Sequence, residues 1–163
     1  VLVASVFMLQ ACDDGDITLE SFNFDTVNIQ ECTTNNLIFK INRDEMLLIN
    51  IPESSFANVE TPDGSPRIVN VSTSNQIIYR IYSDNVSSNN ICATIPPATP
   101  VVKKEWNATG GTIEIITDAL YASDGITITG YTHNIKFVNV NFSGSSNSFS
   151  FTEYNFGNYE TDL

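Results

Sequence analysis

Apolar and polar residues alternate with a period of two along most of this chain, the pattern of β-strands with one solvated face. The runs NLIFKIN (residues 36–42) and QIIYRIYS (residues 76–83) both show this alternation. MLLINI, at residues 46–51, is almost continuously apolar, as expected for a central strand covered on both faces. No segment keeps a helical period over three turns. Shorter strand-like runs are ITLESFNF, which has a change of phase near Ser21, VNIQEC, RIVNVS and ICATI.

Irregular segments separate these runs. NVETPDGSPR, at residues 58–67, carries turn chemistry, because proline presets φ and glycine accepts positive φ. Residues 52–55 predict one helical turn, and residues 85–90 predict a polar loop that leads into the strand ICATI. Three prolines follow that strand, Pro96, Pro97 and Pro100. Proline cannot donate a hydrogen bond to a neighbouring strand, so this segment predicts a crossover.

The last third of the chain predicts an antiparallel meander of four strands. Its runs are VVKKEWN, TIEIITDALY, ITITGYTHNIKFVNVNF and SFSFTEYNF. Glycine-containing segments separate them at residues 109–111, 123–125 and 143–147. Gly-Gly or Asp-Gly between alternating runs is a strong hairpin signal, so each of these segments is expected to be a tight connection.

The third of these runs is longer than a normal strand. Its inward-facing phase changes between Phe137 and Val138, and we expect a bend at Gly130 or at residues 132–134. Together the patterns predict one domain over residues 17–163, an all-β antiparallel β-sandwich of about ten short strands. An antiparallel β-barrel is the alternative architecture.

The start of the chain differs, because VLVASVFML is apolar and uncharged. A helix of that length spans roughly 14 Å, about half a bilayer's hydrocarbon core, which suits the apolar region of a signal peptide. The residues that follow complete Leu9-Gln10-Ala11-Cys12, which resembles the lipobox of bacterial lipoproteins. The resemblance implies that residues 1–11 belong to a cleaved signal peptide and that Cys12 carries the lipid. A buried strand that ends in a structural cysteine is the alternative.

An acidic flank follows that cysteine, formed by Asp13, Asp14 and Asp16. It is similar to the surface-export signal of Bacteroidetes-type lipoproteins, and the chain looks like a flavobacterial lipoprotein of this kind. The resemblance implies a lipid-anchored protein of the outer membrane, exposed at the cell surface, with residues 12–16 as its tether. A calcium loop is the rival interpretation of the aspartates, but the EF-hand spacing is absent.

Charge narrows the partners that this protein can bind. Seven Lys and Arg residues stand against 19 Asp and Glu residues, for a net charge of −12. Nucleic acid would be repelled, and no basic stripe with interleaved aromatic residues offsets this repulsion. The same charge disfavours adsorption to anionic lipid, so membrane attachment is expected to come through the lipid on Cys12.

Three cysteines are present. If Cys12 carries lipid, as the lipoprotein resemblance implies, Cys32 and Cys92 remain as a pair in an exported, oxidising setting. We expect a disulfide between them, with two free thiols as the alternative. No CxxC pattern indicates a zinc or redox site, and no metal is expected.

Catalytic chemistry has few candidate residues in this chain. His133, the single histidine, would have to serve any Ser-His-Asp or Cys-His arrangement, yet no G-x-S-x-G elbow precedes a helix. We interpret His133 as a structural residue of a strand or bend. Paired carboxylates for glycoside hydrolysis are the other possibility, with Glu105 and Glu114 facing each other across the predicted Gly110-Gly111 hairpin. The candidate carboxylates are Asp44, Glu45, Glu105, Glu114, Asp118, Asp124 and Glu153.

Aromatic residues are candidates for a surface on which sugar rings stack. Trp106, Tyr154 and Tyr159 are the residues singled out for this role, and core filling is the alternative explanation of each. Dinucleotide and phosphate-loop patterns are absent, so no cofactor is expected.

These observations predict a non-enzymatic, membrane-anchored lipoprotein with a binding or envelope-structural role. Its partner is expected to be a glycan or an envelope protein, and not nucleic acid. Two alternatives stay open, a carboxylate-based glycoside hydrolase and an accessory subunit of a surface uptake complex.

Overall fold

The computed structural model describes residues 23–144 and 147–163, so the predicted signal peptide, Cys12 and the tether lie outside the described residues, as does most of ITLESFNF. The described chain is almost entirely β, in one antiparallel sheet that is curled into a half-barrel. This confirms the predicted all-β class. The strands are β1 (Gln30–Glu31), β2 (Leu37–Asn42), β3 (Glu45–Asn50), β4 (Arg67–Asn70), β5 (Gln76–Tyr82), β6 (Val102–Tyr121), β7 (Ile128–Gly144) and β8 (Ser148–Asp162). Two short helices accompany them, the 3-10 turn η1 (Glu53–Phe56) and α1 (Ser88–Cys92).

The strands follow the order β1-β2-β3-β5-β6-β7-β8, and all their pairings are antiparallel. The 20-residue β6 is the centre of the sheet, with β5 and β4 pairing to its two halves along one side and β7 along the other. The curl brings the two ends of the sheet towards each other, so that Tyr159 of β8 contacts Glu31 of β1. We call the gap between residues 28–31 and residues 158–162 the seam.

β3 is buried on both of its faces. Leu47 and Ile49 belong to the main core inside the half-barrel, which is rich in aromatic rings. Met46 and Leu48 belong to a second core on the outer face of the sheet. This double burial explains the continuous apolar run MLLINI and confirms that it forms a central strand.

The second core is covered by the segment between β5 and β6, which carries α1. Ile91 and Cys92 of this segment pack against the cluster that contains Phe39. Cys32 and Cys92 form a disulfide-compatible pair with their Cα atoms 5.3 Å apart, as the sequence predicts. A bridge between them would link the residue after β1 to the last residue of α1, and so would hold the cover against the sheet.

The prediction of a strand at ICATI, residues 91–95, is wrong, because Ile91 and Cys92 end the helix α1 and residues 93–95 are irregular. Polar side chains at the start of α1 explain why a helix forms here. The Ser87 backbone N–H donates to Asn90 Oδ1 at 3.0 Å, as in a capping box, and Asn90 Nδ2 donates to the Thr99 carbonyl at 3.2 Å. These bonds satisfy backbone groups at the helix start and connect the helix to the proline-rich crossover.

The predicted hairpin at Gly110-Gly111 is also wrong, because β6 runs through both glycines without turning. The C-terminal meander therefore has three long strands instead of four, joined at the predicted turns after β6 and after β7. Glu105 and Glu114 consequently lie on the same strand and do not face each other.

The two glycines instead mark a bulge in the pairing of β6 with β7. The register moves from Gly110↔Asn141 to Thr112↔Val138, so β7 has one extra residue at this point. Beside it, Asn139 adopts a positive φ of 51°, which is uncommon for a residue other than glycine. The inward phase of β7 changes at residues 138–140, near the predicted place, whereas the predicted bend at residues 132–134 is regular ladder.

Gly111 is expected to be essential to this bulge, whereas Gly110 is not. A Cβ at Gly111, whose φ is 103°, would lie 2.5 Å from the Asn139 carbonyl oxygen, but at Gly110 the nearest atom would be 3.8 Å away. Gly111→Ala should therefore lower the free energy of unfolding by about 2 kcal/mol. The matched change Gly110→Ala should stay within about 0.5 kcal/mol of the parent protein. Urea denaturation measures both, and equal effects would contradict the bulge.

Candidate functional site

Trp106 is fully buried in the main core and has no ring face in contact with solvent. Its ring stacks on that of Tyr79 with the centroids 5.1 Å apart, and its Nε1 donates to Asn147 Oδ1 at 2.8 Å. A buried indole requires such an acceptor. Trp106 therefore fills the core in this structure, and a ligand cannot stack on it.

Tyr154 and Tyr159 do not join Trp106 in a common platform. Tyr154 is half-buried among core aromatic rings. Tyr159 pairs with His133 of β7, whereas Trp106 pairs with Gly144, eleven residues further along that strand. At about 3.3 Å per residue this separation is roughly 36 Å. Of the three predicted residues, Tyr159 is the one that lines a cleft.

That cleft has a volume of about 630 Å³ and lies at one end of the seam. Three segments form it: the turn between β1 and β2, the helix η1 with the residues after it, and the end of β8. The helix η1 is the single helical turn predicted after Pro52, and it is confirmed. The lining residues are mostly hydrogen-bonding ones, among them Glu31, Asn35, Asn36, Glu53, Asn58, Tyr159, Thr161 and Asp162.

The floor of the cleft is aromatic. Phe56, from η1, is buried and packs edge-on against both Tyr159 and His133, with ring centroids 5.1 Å and 5.6 Å away. The His133 side chain is fully buried directly behind this floor. The floor of the cleft therefore rests on the His133 ring.

His133 also lies at the centre of a hydrogen-bonded chain that reaches the cleft. Arg67 Nη1 donates to Thr117 Oγ1 at 2.6 Å, and Thr161 Oγ1 donates to Asn58 Oδ1 at 2.7 Å. These two outer hydrogen bonds determine which atom donates in the two hydrogen bonds between them. Thr117 donates to His133 Nδ1 at 2.8 Å, and the Nε2–H of His133 donates to Thr161 at 3.1 Å. Every link is satisfied by a neutral imidazole that carries its proton on Nε2.

A second proton on His133 is unfavourable in this setting. Burial lowers the pKa of His133 to about 4, and the charge of Arg67 adds to the effect. A proton on Nδ1 would also point at the Thr117 hydroxyl hydrogen. The prediction that His133 is a structural histidine agrees with this arrangement, in which the residue joins β4, β6, β7 and β8.

Tyr159 closes the mouth of the cleft. Its hydroxyl donates to Glu31 Oε2 at 2.5 Å across the seam. Burial, together with the bond to Glu31 and the charges of Glu31 and Glu53, raises the pKa of Tyr159. The tyrosine therefore stays protonated and acts as a donor.

A smaller cleft of about 440 Å³ lies on the other side of this Tyr159–Glu31 bond. Residues 28–31 line it from one side and residues 158–160 from the other. The two clefts share Glu31 and Tyr159, so they form one groove along the seam that this hydrogen bond crosses.

None of the seven carboxylates predicted for hydrolysis lines either cleft. Glu105 is held by Arg80 at 2.6 Å, and Glu153 lies 3.9 Å from Lys136. Asp124 serves a turn, where the Thr127 hydroxyl and backbone N–H groups donate to it and lower its pKa to about 2. A hydrolytic pair from this set would have to act outside the two clefts.

Lys40 is a buried cation behind the seam. It is 4% exposed, its Nζ donates to the Phe24 carbonyl at 3.0 Å, and it lies 5.5 Å from the centroid of the Phe156 ring. Burial lowers the pKa of Lys40, and the charge of Asp25 partly offsets that effect. Lys40 joins residue 24 to β2 and lines neither cleft.

Sequence reasoning missed the carboxylates of the larger cleft, Glu31, Glu53 and Asp162. They come from segments far apart in the chain, and each is an exposed residue at or near the end of a regular element. An exposed polar residue in such a place has no periodic signal. Only the curl of the sheet brings them together.

Within residues 23–144 and 147–163, no helix is long and apolar enough to cross a membrane, and no group of three or more His, Cys, Asp or Glu side chains could hold a metal ion. Comparison of the chain with protein-family models, with curated proteins and with solved structures finds no match.

Proposed function

We propose that this protein is a membrane-anchored lipoprotein of the cell surface whose β domain binds a polar partner in the larger cleft without transforming it. The cleft at the seam is the observation that carries this proposal. The lipobox-like start, Leu9 to Cys12, supports the anchor. Two or more acyl chains hold a protein on a membrane far more firmly than one.

The composition of the cleft favours binding of a polar partner. Its wall offers amide, hydroxyl and carboxylate groups, and its floor offers the Phe56 and Tyr159 rings. Recognition sites combine apolar surface with a few polar groups at defined positions. A glycan or a polar segment of an envelope protein matches this chemistry, because both present hydroxyl or amide groups beside apolar faces.

Loss of cleft side chains should weaken this binding. We expect Asn36→Ala combined with Glu53→Ala to weaken capture from glycan panels and envelope extracts at least about tenfold, which equals 1.4 kcal/mol. Asn107→Ala combined with Glu153→Ala is the matched control, because these residues are exposed and lie outside the cleft. The control should bind as the parent protein does.

Three results would contradict the proposal. Capture that is equal in both double variants would exclude the cleft, and absence of any captured partner would exclude a binding role. Shortened glycans in the incubated panel would show an enzyme. Mass spectrometry of the detergent-extracted protein tests the anchor separately, since an unmodified Cys12 on an uncut chain would exclude it.

A further inference from the structure

The seam is a gap between two strand edges of the sheet. Within the described residues the ladder ends at β1 on one side and at β8 on the other. Paired strands lie about 4.8 Å apart. Across the seam, Tyr159 and Glu31 instead meet through the tips of two long side chains.

The end of β8 has the geometry of a strand edge open to pairing. Ile135 pairs with Gly157 and Lys136 with Asn155, so β8 has an extra residue at Phe156 and bulges there. A bulge disrupts the regular pairing of a strand edge, so the part of β8 after Phe156 is a separate edge from the part before it. Beyond it, residues 158–162 continue the strand for about 17 Å, at 3.3 Å per residue. The Asp162 carbonyl at its end accepts from Asn58 Nδ2 at 3.1 Å, so the edge available for pairing is residues 158–161. Edges of this kind accept an added strand from another chain.

The negative charge of the seam favours a basic partner. The carboxylates of Glu31, Glu53, Glu160 and Asp162 all line the two clefts and are exposed. Among the described residues, no Lys or Arg side chain lines either cleft. An extended segment that pairs with β8 would place every second side chain on the face that carries Glu160 and Asp162, because successive residues of a strand point in opposite directions.

We propose that the seam binds an extended, basic peptide segment of a partner protein, which pairs with the edge of β8 at residues 158–161 and places Lys or Arg side chains beside the carboxylates of Glu160 and Asp162. This inference rests on the proposed function, because it names the kind of partner that the cleft binds. It adds backbone pairing, which a glycan cannot provide.

The Tyr159–Glu31 hydrogen bond acts as a latch on this site. The bond crosses the groove, so a strand that enters the seam must displace it. Removing the hydroxyl with Tyr159→Phe keeps the aromatic floor and should tighten peptide binding by about threefold. A tyrosine whose hydroxyl contacts the partner would instead bind more weakly after this change.

The test uses three blocked heptapeptides added to the isotope-labelled protein, with binding followed by amide NMR shifts. One alternates Lys and Thr, one alternates Glu and Thr, and one is the Lys-Thr peptide with alternate backbone nitrogens methylated. We expect the first alone to bind, with shifts at residues 28–31 and 158–162. Glu160→Gln combined with Asp162→Asn should weaken it about fivefold, while Glu153→Gln on the same strand should change it less than twofold.

Each other outcome overturns the inference. Equal binding of the methylated peptide would show adsorption by charge without backbone pairing, and equal loss with Glu153→Gln would show a diffuse acidic surface. Weaker binding by Tyr159→Phe would exclude a latch. Absence of peptide binding would overturn this inference alone if the Asn36 and Glu53 variant still loses its glycan or envelope partner, so the two proposals can be told apart.

Discussion

Replacing Cys32 and Cys92 with serine is expected to lower the free energy of unfolding by about 4 kcal/mol. A disulfide between this pair would close a loop of 60 residues, and in the chain-entropy model an open loop of that length gains that much freedom when the protein unfolds. The bridge would also hold the cover over the second core. Urea denaturation of the double variant, compared with the parent protein, measures it.

The cover itself gives a second, local readout of the same change. Hydrogen exchange should accelerate in α1 and at the second-core positions Phe39 and Met46, while the centre of β6 stays protected. The parent protein under reducing conditions should match the double serine variant. If reduction leaves the stability unchanged, the bridge makes no contribution and the predicted effect is wrong.

Lowering the pH from 7 to 4 is expected to cost about 3 kcal/mol of stability through His133 alone, at 1.4 kcal/mol per pKa unit. The folded pKa of His133 is about 4, below its ordinary value of 6.5. As the pH falls, His133 in the unfolded chain therefore binds its second proton at a higher pH than in the folded protein. The contribution is fully present above pH 6.5, falls as the pH drops towards 4, and is gone below that value.

His133 is the only histidine of the chain, so its NMR ring signals report this titration without ambiguity. We expect a midpoint near pH 4 in the folded protein. Arg67→Gln should raise it, because the Arg67 charge contributes to the lowered pKa. A slope of about 1.2 kcal/mol per pH unit between pH 6 and 5 should accompany it, above the range where most carboxylates titrate. A midpoint near 6.5 would show that the buried network does not hold the imidazole neutral.

Local patterns predicted the parts of the fold that local energetics decide. The alternation in NLIFKIN and the apolar run MLLINI became β2 and β3 because side-chain period and burial are linked residue by residue. The same logic located the phase change of β7 close to Asn139. The pairing of Cys32 with Cys92 followed from the cysteine count once Cys12 was assigned to lipid.

The errors arose where one local signal serves two structures. Gly110-Gly111 predicts a hairpin, yet a glycine at positive φ serves a bulge within a continuous strand equally well. ICATI has strand-like composition, but Ser87 and Asn90 stabilise a helix there. At the glycines, pairing with the distant residues of β7 decides between the two options. At α1, the side-chain bonds of Asn90 to Ser87 and to Thr99 decide it.

By itself, the sequence determined an acidic, all-β domain with a central two-sided strand, a cysteine pair and a lipobox-like start. Only the tertiary structure decided that the sheet curls, that β1 and β8 face each other, and that carboxylates from three distant segments meet at one groove. Curling sums small twists over many strands, and its result depends on packing among all of them. The place where a sheet fails to close therefore has no local signature in the chain, and in this protein that place is the candidate binding site.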